Sequence, residues 1–143
     1  MTQVDFYILP SESDRERQQF ACRLTEKAIK LGHKVYIHSR DAEQAAAMDK
    51  LLWSFRSSSF VPHALQGKAS DEPVVIGFEQ PPAAFSEVMI NLSHQVPNFF
   101  SRFERVTEVV VTDPTITEAT RENYRFYRDR GYPLKNHDMR KPR

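Results

Sequence analysis

The stretch DPTITEATRENYRFYRDRG, residues 113–131, concentrates the side chains with the most specific binding chemistry in this chain. Asp113 before Pro114 is a helix start, a capping carboxylate followed by proline at the first helical position, and Gly131 is a helix stop. At about 3.6 residues per turn, Ile116, Ala119, Asn123, Phe126 and Tyr127 form the stripe that faces a core. Arg121, Tyr124, Arg125 and Arg128 share a second face, and Glu118, Glu122 and Asp129 a third. Guanidinium groups bind carboxylates through paired hydrogen bonds and tolerate desolvation better than ammonium groups do. Three of them around an aromatic ring therefore suit a peptide that carries carboxylates and an apolar anchor. The same spacing also fits a basic face that meets only solvent.

A second segment with chemistry of its own is LLWSFRSSSFVPH, residues 51–63, which puts Trp53, Phe55, Phe60, Val61 and Pro62 at a helix end and in the loop after it. Aromatic residues in a loop either fold back into the core or wait for a partner.

Catalytic and ligand signatures are missing from the sequence. The only glycines are Gly32, Gly67, Gly77 and Gly131, and none is spaced as a dinucleotide-binding turn or a phosphate loop. A phosphate on the first helix beside Ser11 and Ser13 is conceivable, but capping is the commoner role for such serines. The histidines at 33, 38, 63, 94 and 137 match no metal-ligand spacing, and no serine-nucleophile elbow is present. Cys22 is the single cysteine, so an internal disulfide and a cysteine-cluster metal site are excluded. No catalytic, cofactor-binding or metal-binding residue is expected.

The chain has 143 residues, the size of one domain, with 40% hydrophobic and 27% charged residues. Its longest apolar runs fall far short of a membrane span and its polar start MTQVDF is not a secretory leader, so a cytoplasmic protein is expected. A net charge of +1 argues against holding nucleic acid mainly by phosphate neutralisation. The charge is uneven, with 10 Lys+Arg against 12 Asp+Glu over residues 1–100 and 10 against 7 over residues 101–143. That bias would steer an acidic partner towards the C-terminal end.

The elements that must position these faces alternate. Residues 4–9 read as a buried strand, and Ser13 with Glu16 forms a capping box for a helix to Leu31, closed by Gly32. A strand over 34–38 follows, then a helix capped by Asp41 with Gln44 that runs through Trp53 or Phe55 with Ala45, Met48, Leu52 and Phe55 inward. After a long loop come strands over 74–78 and 88–92, a brief helix over 97–103, a strand over 106–111 and the helix from Asp113. Strands with continuous apolar character, alternating with helices, predict a Rossmann-like three-layer α/β fold. Its mainly parallel central sheet would carry helices on both faces and lack a glycine-rich phosphate loop. The single α/β domain is expected to span 1–134, with 135–143 a basic tail open to disorder.

Several segments in order, FYIL, LGHKVYIHSRDAEQAAAMDKLLW, SFVPH, INLS and RENYRFYRDRGY, make the chain resemble the chi subunit of the bacterial DNA polymerase III holoenzyme, nearly end to end. The resemblance implies a non-catalytic adaptor associated with the clamp loader in DNA replication. It implies that Trp53, Phe60, Val61, Pro62 and His63 meet the psi subunit. It also implies that Arg121, Tyr124, Arg125, Arg128 and Val110 bind the acidic C-terminal tail of single-stranded DNA-binding protein. Arg121 would take the terminal carboxylate, Tyr124 and Val110 would wall the pocket for the ring, and Arg125 and Arg128 would meet the aspartates. Direct nucleic-acid or membrane binding is not implied, and contact with the nucleoid would come through the replication machinery. Thr117 departs from the pattern where a basic residue is expected, and the tail after Leu134 shows little resemblance. The alternative from a different class is a nucleotide-dependent or nucleic-acid-modifying Rossmann-like enzyme with a degenerate phosphate turn. Direct binding of single-stranded nucleic acid by Tyr124, Tyr127 and the arginines ranks below both.

Overall fold

The computed structural model describes residues 1–56, 60–68 and 71–140. Its centre is a seven-stranded sheet, every neighbouring pair parallel, in the order β3-β4-β2-β5-β6-β1-β7. The strands are β1 (Gln3–Ile8), β2 (Val35–His38), β3 (His63–Leu65), β4 (Val74–Gly77), β5 (Val88–Asn91), β6 (Arg105–Val110) and β7 (Leu134–Asp138), with helices α1 (Asp14–Lys30), α2 (Ala42–Ser54) and α3 (Pro114–Asp129). The expected α/β architecture with helices on both faces is what the chain forms.

Helix starts follow the capping chemistry. Ser13 Oγ accepts from the Glu16 amide, Asp41 Oδ1 from the Gln44 amide at 2.9 Å, and Asp113 Oδ1 from the Ile116 amide at 3.1 Å. The Arg40 amide, one residue before the cap, donates to Gln44 Oε1 at 2.6 Å, so the Gln44 side chain reaches back over the start of α2. Gly131 follows α3 with φ of 79°, a conformation glycine adopts without a side-chain penalty.

Alternate residues along each strand serve opposite faces. Val35, Ile37, Val74, Ile76 and Ile90 pack against α1 and α2 with Ala21, Ala45, Met48, Leu51 and Leu52. Val4, Phe6, Tyr36, Val75, Met89 and Val106 pack on the other side with Phe85, Phe100, Phe103 and the α3 residue Tyr127. The buried stripe of α3 is Ile116, Thr120, Asn123 and Tyr127. Ala119 and Phe126, expected in it, are half-buried on its shoulder. Phe126 meets Phe100 edge-on at 5.6 Å, and the Arg130 guanidinium sits 3.6 Å from its ring centroid.

Two strands depart from the expected pattern. β3 lies in what reads as a long loop, because three residues with one fully buried side chain carry no periodic signal. β7 occupies part of the expected tail: the sheet continues to Asp138, and residues 141–143, with 57–59 and 69–70, lie outside the described part. LKNHD has a single apolar residue, so the alternation rule misses it. What secures it is tertiary: pairing with β1 in parallel register, His137 stacked on Tyr7 with ring centroids 4.2 Å apart, and His137 Nε2 3.2 Å from Asp5 Oδ1. The brief helix expected over 97–103 shortens to a 3₁₀ turn, Phe100–Arg102.

Candidate functional site

α3 crosses the sheet above β6 and β1, and the side chains beneath it explain how it is held. Glu108, the one acidic residue of β6, is buried and accepts three hydrogen bonds. They come from Asn91 Nδ2 at 2.9 Å, the Tyr127 hydroxyl at 2.8 Å and Asn123 Nδ2 at 3.3 Å. Burial pushes its carboxyl above the ordinary value, against the three donors and the nearby Arg17 charge, which act the other way. Two of the donors belong to α3, so this carboxyl ties the helix to the sheet. The role is invisible to helical-wheel reasoning; the signal for it is a lone glutamate within RVTEVV.

Above that footing, the helix presents the expected residues. The Tyr124 ring, half-buried, leans on Phe6 of β1 with centroids 5.1 Å apart, and half-buried Val110 ends β6 on the same face. Arg121, Arg125 and Arg128 are exposed. Their partners differ: Arg125 pairs with Glu122, and Arg128 Nη2 lies 3.1 Å from Asp129 Oδ1, both on the same helix. Arg121 has no ion pair or hydrogen bond among the described residues. With Thr112, Pro114, Thr117, Glu118, Glu122 and Arg125 it lines a shallow depression of about 490 Å³. The Thr117 hydroxyl is turned down onto the Val111 carbonyl at 3.0 Å. An unpaired guanidinium next to a ring with an apolar backing can take a carboxylate and an aromatic or aliphatic side chain together.

The second expected face divides. Trp53 is 57% and Phe60 68% exposed, their ring centroids 5.8 Å apart, and Pro62 is half-buried. Val61 and His63 are buried, so they support this surface from below. The ring nitrogens of His63 lie 2.5 Å from the Val61 carbonyl and 3.0 Å from the Asp49 carbonyl, and its ring centroid is 4.6 Å from that of Trp53. Phe55, expected inward, is half-buried against the α1/α2 side of the core. The serines at 57–59 between these aromatics lie outside the described residues.

The carboxyl ends of the strands, where a Rossmann-like fold ordinarily takes its ligand, are built differently here. After β1 the chain passes through Pro10 and Ser11 to α1 without a glycine turn. Buried Arg17 reaches from α1 across this edge, donating from Nε to the Val109 carbonyl at 2.8 Å and from Nη2 to the Leu92 carbonyl at 3.2 Å. At the end of β2, burial holds His38 down at about 4, so its ring is neutral at ordinary pH. Cys22 is buried, and its thiol is pushed up to about 12 by burial, the opposite of an activated nucleophile. Among the described residues no helix is long and apolar enough to cross a membrane.

Comparison with known proteins gives a consistent result. Residues 1–135 match the family described as DNA polymerase III chi subunit, HolC. The chain is 46% identical over 139 residues to the DNA polymerase III subunit chi of Pseudomonas aeruginosa, covering 97% of this chain and 98% of that one. It is 28% identical over 139 residues to the subunit chi of Haemophilus influenzae, covering 95% and 96% of the two chains. With the Escherichia coli subunit chi it shares 28% identity over 141 residues, covering 94% and 96%.

Proposed function

We propose that this chain, which belongs to the chi subunit family of DNA polymerase III, is a non-catalytic adaptor working in the cytoplasm. It joins the acidic C-terminal tail of single-stranded DNA-binding protein to a psi-like partner, and through that partner to the clamp loader. The observation that carries the tail-binding half is Arg121, exposed, without an ion pair or hydrogen bond among the described residues and one helical turn before Tyr124, while Arg125 and Arg128 after it are engaged within the helix. A free guanidinium beside an apolar wall matches a terminal carboxylate on a C-terminal phenylalanine. The partly neutralised Arg125 and Arg128 suit the weaker, salt-screened contacts to aspartates upstream. Because the tail-bearing protein is an oligomer, several tails raise the effective concentration and offset a modest single-site affinity.

Titration with a labelled peptide ending in aspartates, proline and a free-acid phenylalanine tests this reading. Saturable binding is expected, and amidation of the terminal carboxyl is expected to weaken it by about tenfold or more, the share of a charge-assisted pair. Equal affinity of acid and amide would remove Arg121 from the role.

Trp53 and Phe60 support the second half. Two large rings more than half exposed and in mutual contact, held up by a buried histidine, form an apolar surface of the kind that protein partners cover. In a pulldown from native lysate, the prey lost only from a Trp53→Ala variant is expected to be the psi-like partner. Identical prey for both proteins would assign the surface elsewhere.

The enzyme alternative has one observation on its side. His38 Nδ1 and Ser39 Oγ are buried without hydrogen-bond partners among the described residues, at the carboxyl end of β2. They stand just before α2, whose start already carries the Asp41 carboxylate, so a phosphate there would meet like charge. The adaptor reading is therefore the one the site chemistry favours.

A further inference from the structure

The tail-binding face described above has one wall, α3, and the sheet supplies a second. Val110 of β6 pairs with Ile8 of β1, and Ile8 pairs with Asp138 of β7, so the three form one row across the carboxyl edge. Phe6 faces α3 through its contact with Tyr124; Ile8 lies two residues on and so shares that face, and Val110 and Asp138 share it as its row partners. Height along the strands also fits. Thr117 bonds the Val111 carbonyl and Tyr124 leans on Phe6, whose partner on β6 is Glu108. Arg121, between them on the helix, stands level with the Val110–Ile8–Asp138 row.

The floor of this row is apolar and open: Ile8 and Val110 are only half-buried although both strands have neighbours on each side. Neighbouring strands lie about 4.8 Å apart, so Asp138 is roughly 10 Å across from Val110, the width of one extended peptide. On that far side Asp138 is covered by Arg140, whose Nε and Nη2 each donate to the carboxylate at 2.9 Å, with its amide donating to Oδ1 at 3.0 Å. The Arg140 side chain stays half-exposed. On the near wall Thr117 donates its hydroxyl to the Val111 carbonyl and offers no charge.

The geometry points to Arg140 as a second arginine of the acidic-peptide site, on the far side of the Ile8–Val110 row from α3 and Arg121. This rests on the reading of α3 as a peptide-binding face, and it adds Arg140, two residues after β7, to that same site. The occupant is an acidic peptide end in extended form: its apolar residue lies on the floor, its terminal carboxylate on Arg121 and an upstream carboxylate on Arg140. Asp138 then competes with the peptide for Arg140, so the pair acts as an internal brake on affinity.

The test is a fluorescence-anisotropy titration of the full chain with the labelled free-acid peptide at low salt, on four variants whose folding is checked by thermal unfolding. Arg140→Ala is expected to weaken binding about threefold to fivefold, the range of a partly exposed ion pair. Asp138→Asn is expected to tighten it, because Arg140 is released to the peptide. The double variant Asp138→Asn, Arg140→Ala decides between contact and mere neutralisation: it should bind more weakly than wild type. Wild-type affinity in the double variant, or no loss in Arg140→Ala, would overturn the assignment while Arg121→Ala still reports on the α3 reading. Absence of binding by the wild-type chain would overturn both.

Discussion

Replacing Arg121 with alanine is expected to lower affinity for the free-acid tail peptide by about 100-fold, the scale of an interface residue that pairs a desolvated charge. Arg121 is exposed and has no ion pair or hydrogen bond among the described residues, so its loss breaks none. The unfolding midpoint should therefore move by less than about 2 °C, as for a surface substitution away from the core. Arg125→Ala and Arg128→Ala serve as internal comparisons. Each removes a guanidinium already paired on the helix, with Glu122 and Asp129, so each should cost only a few-fold and should lose its effect as salt is raised. Arg121→Lys separates charge from geometry: a point charge cannot make the paired hydrogen bonds of a guanidinium, so recovery should be partial. Retained affinity in Arg121→Ala, or equal losses at all three positions, would show a diffuse basic face instead of a carboxylate site.

Most of the scaffold for this site was readable from residue order, because caps and apolar periods are local. Ser13, Asp41 and Asp113 cap the three helices, and the strands of continuous apolar residues are the inner ones of a parallel sheet. The four polar positions on α3 were legible for the same reason: a wheel depends only on spacing. What escaped was set by tertiary partners. β7 is an edge strand with polar residues, and its place depends on Tyr7, Asp5 and β1 across more than 120 positions of chain. Val61 and His63 read as surface because they neighbour Phe60, yet just before and at the start of β3 both side chains are buried, which leaves Trp53 and Phe60 outside. Neither Phe6 nor Glu108 could be tied to α3 without the sheet order, which right-handed crossover alone does not fix.

Removing the Glu108 carboxyl should be the most damaging single change to the fold near this site. Glu108→Ala leaves Asn123 and the Tyr127 hydroxyl facing a cavity, while Asn91 keeps its second bond, at 3.0 Å, to the Gln95 carbonyl. Two buried donors without an acceptor, with the cavity itself, cost about 3 kcal/mol or more. Against this stands the relief of a buried carboxyl, and pH sets how large that relief is. Burial raises the Glu108 carboxyl above its ordinary value of 4.5, so the native state holds this proton more tightly than the unfolded chain does. Its contribution is therefore complete below about 4.5 and is lost as pH rises through the raised value. Urea unfolding should accordingly show a larger deficit for Glu108→Ala at pH 5 than at pH 8, and Glu108→Gln should gain on wild type over the same rise. The peptide site should weaken with the fold, because Asn123 and Tyr127 fix the height of α3 over the sheet and so the reach of Arg121 into the groove. A deficit below about 1 kcal/mol at pH 5 would mean that α3 is held without the Glu108 hydrogen bonds, and the peptide affinity of the variant would then match wild type.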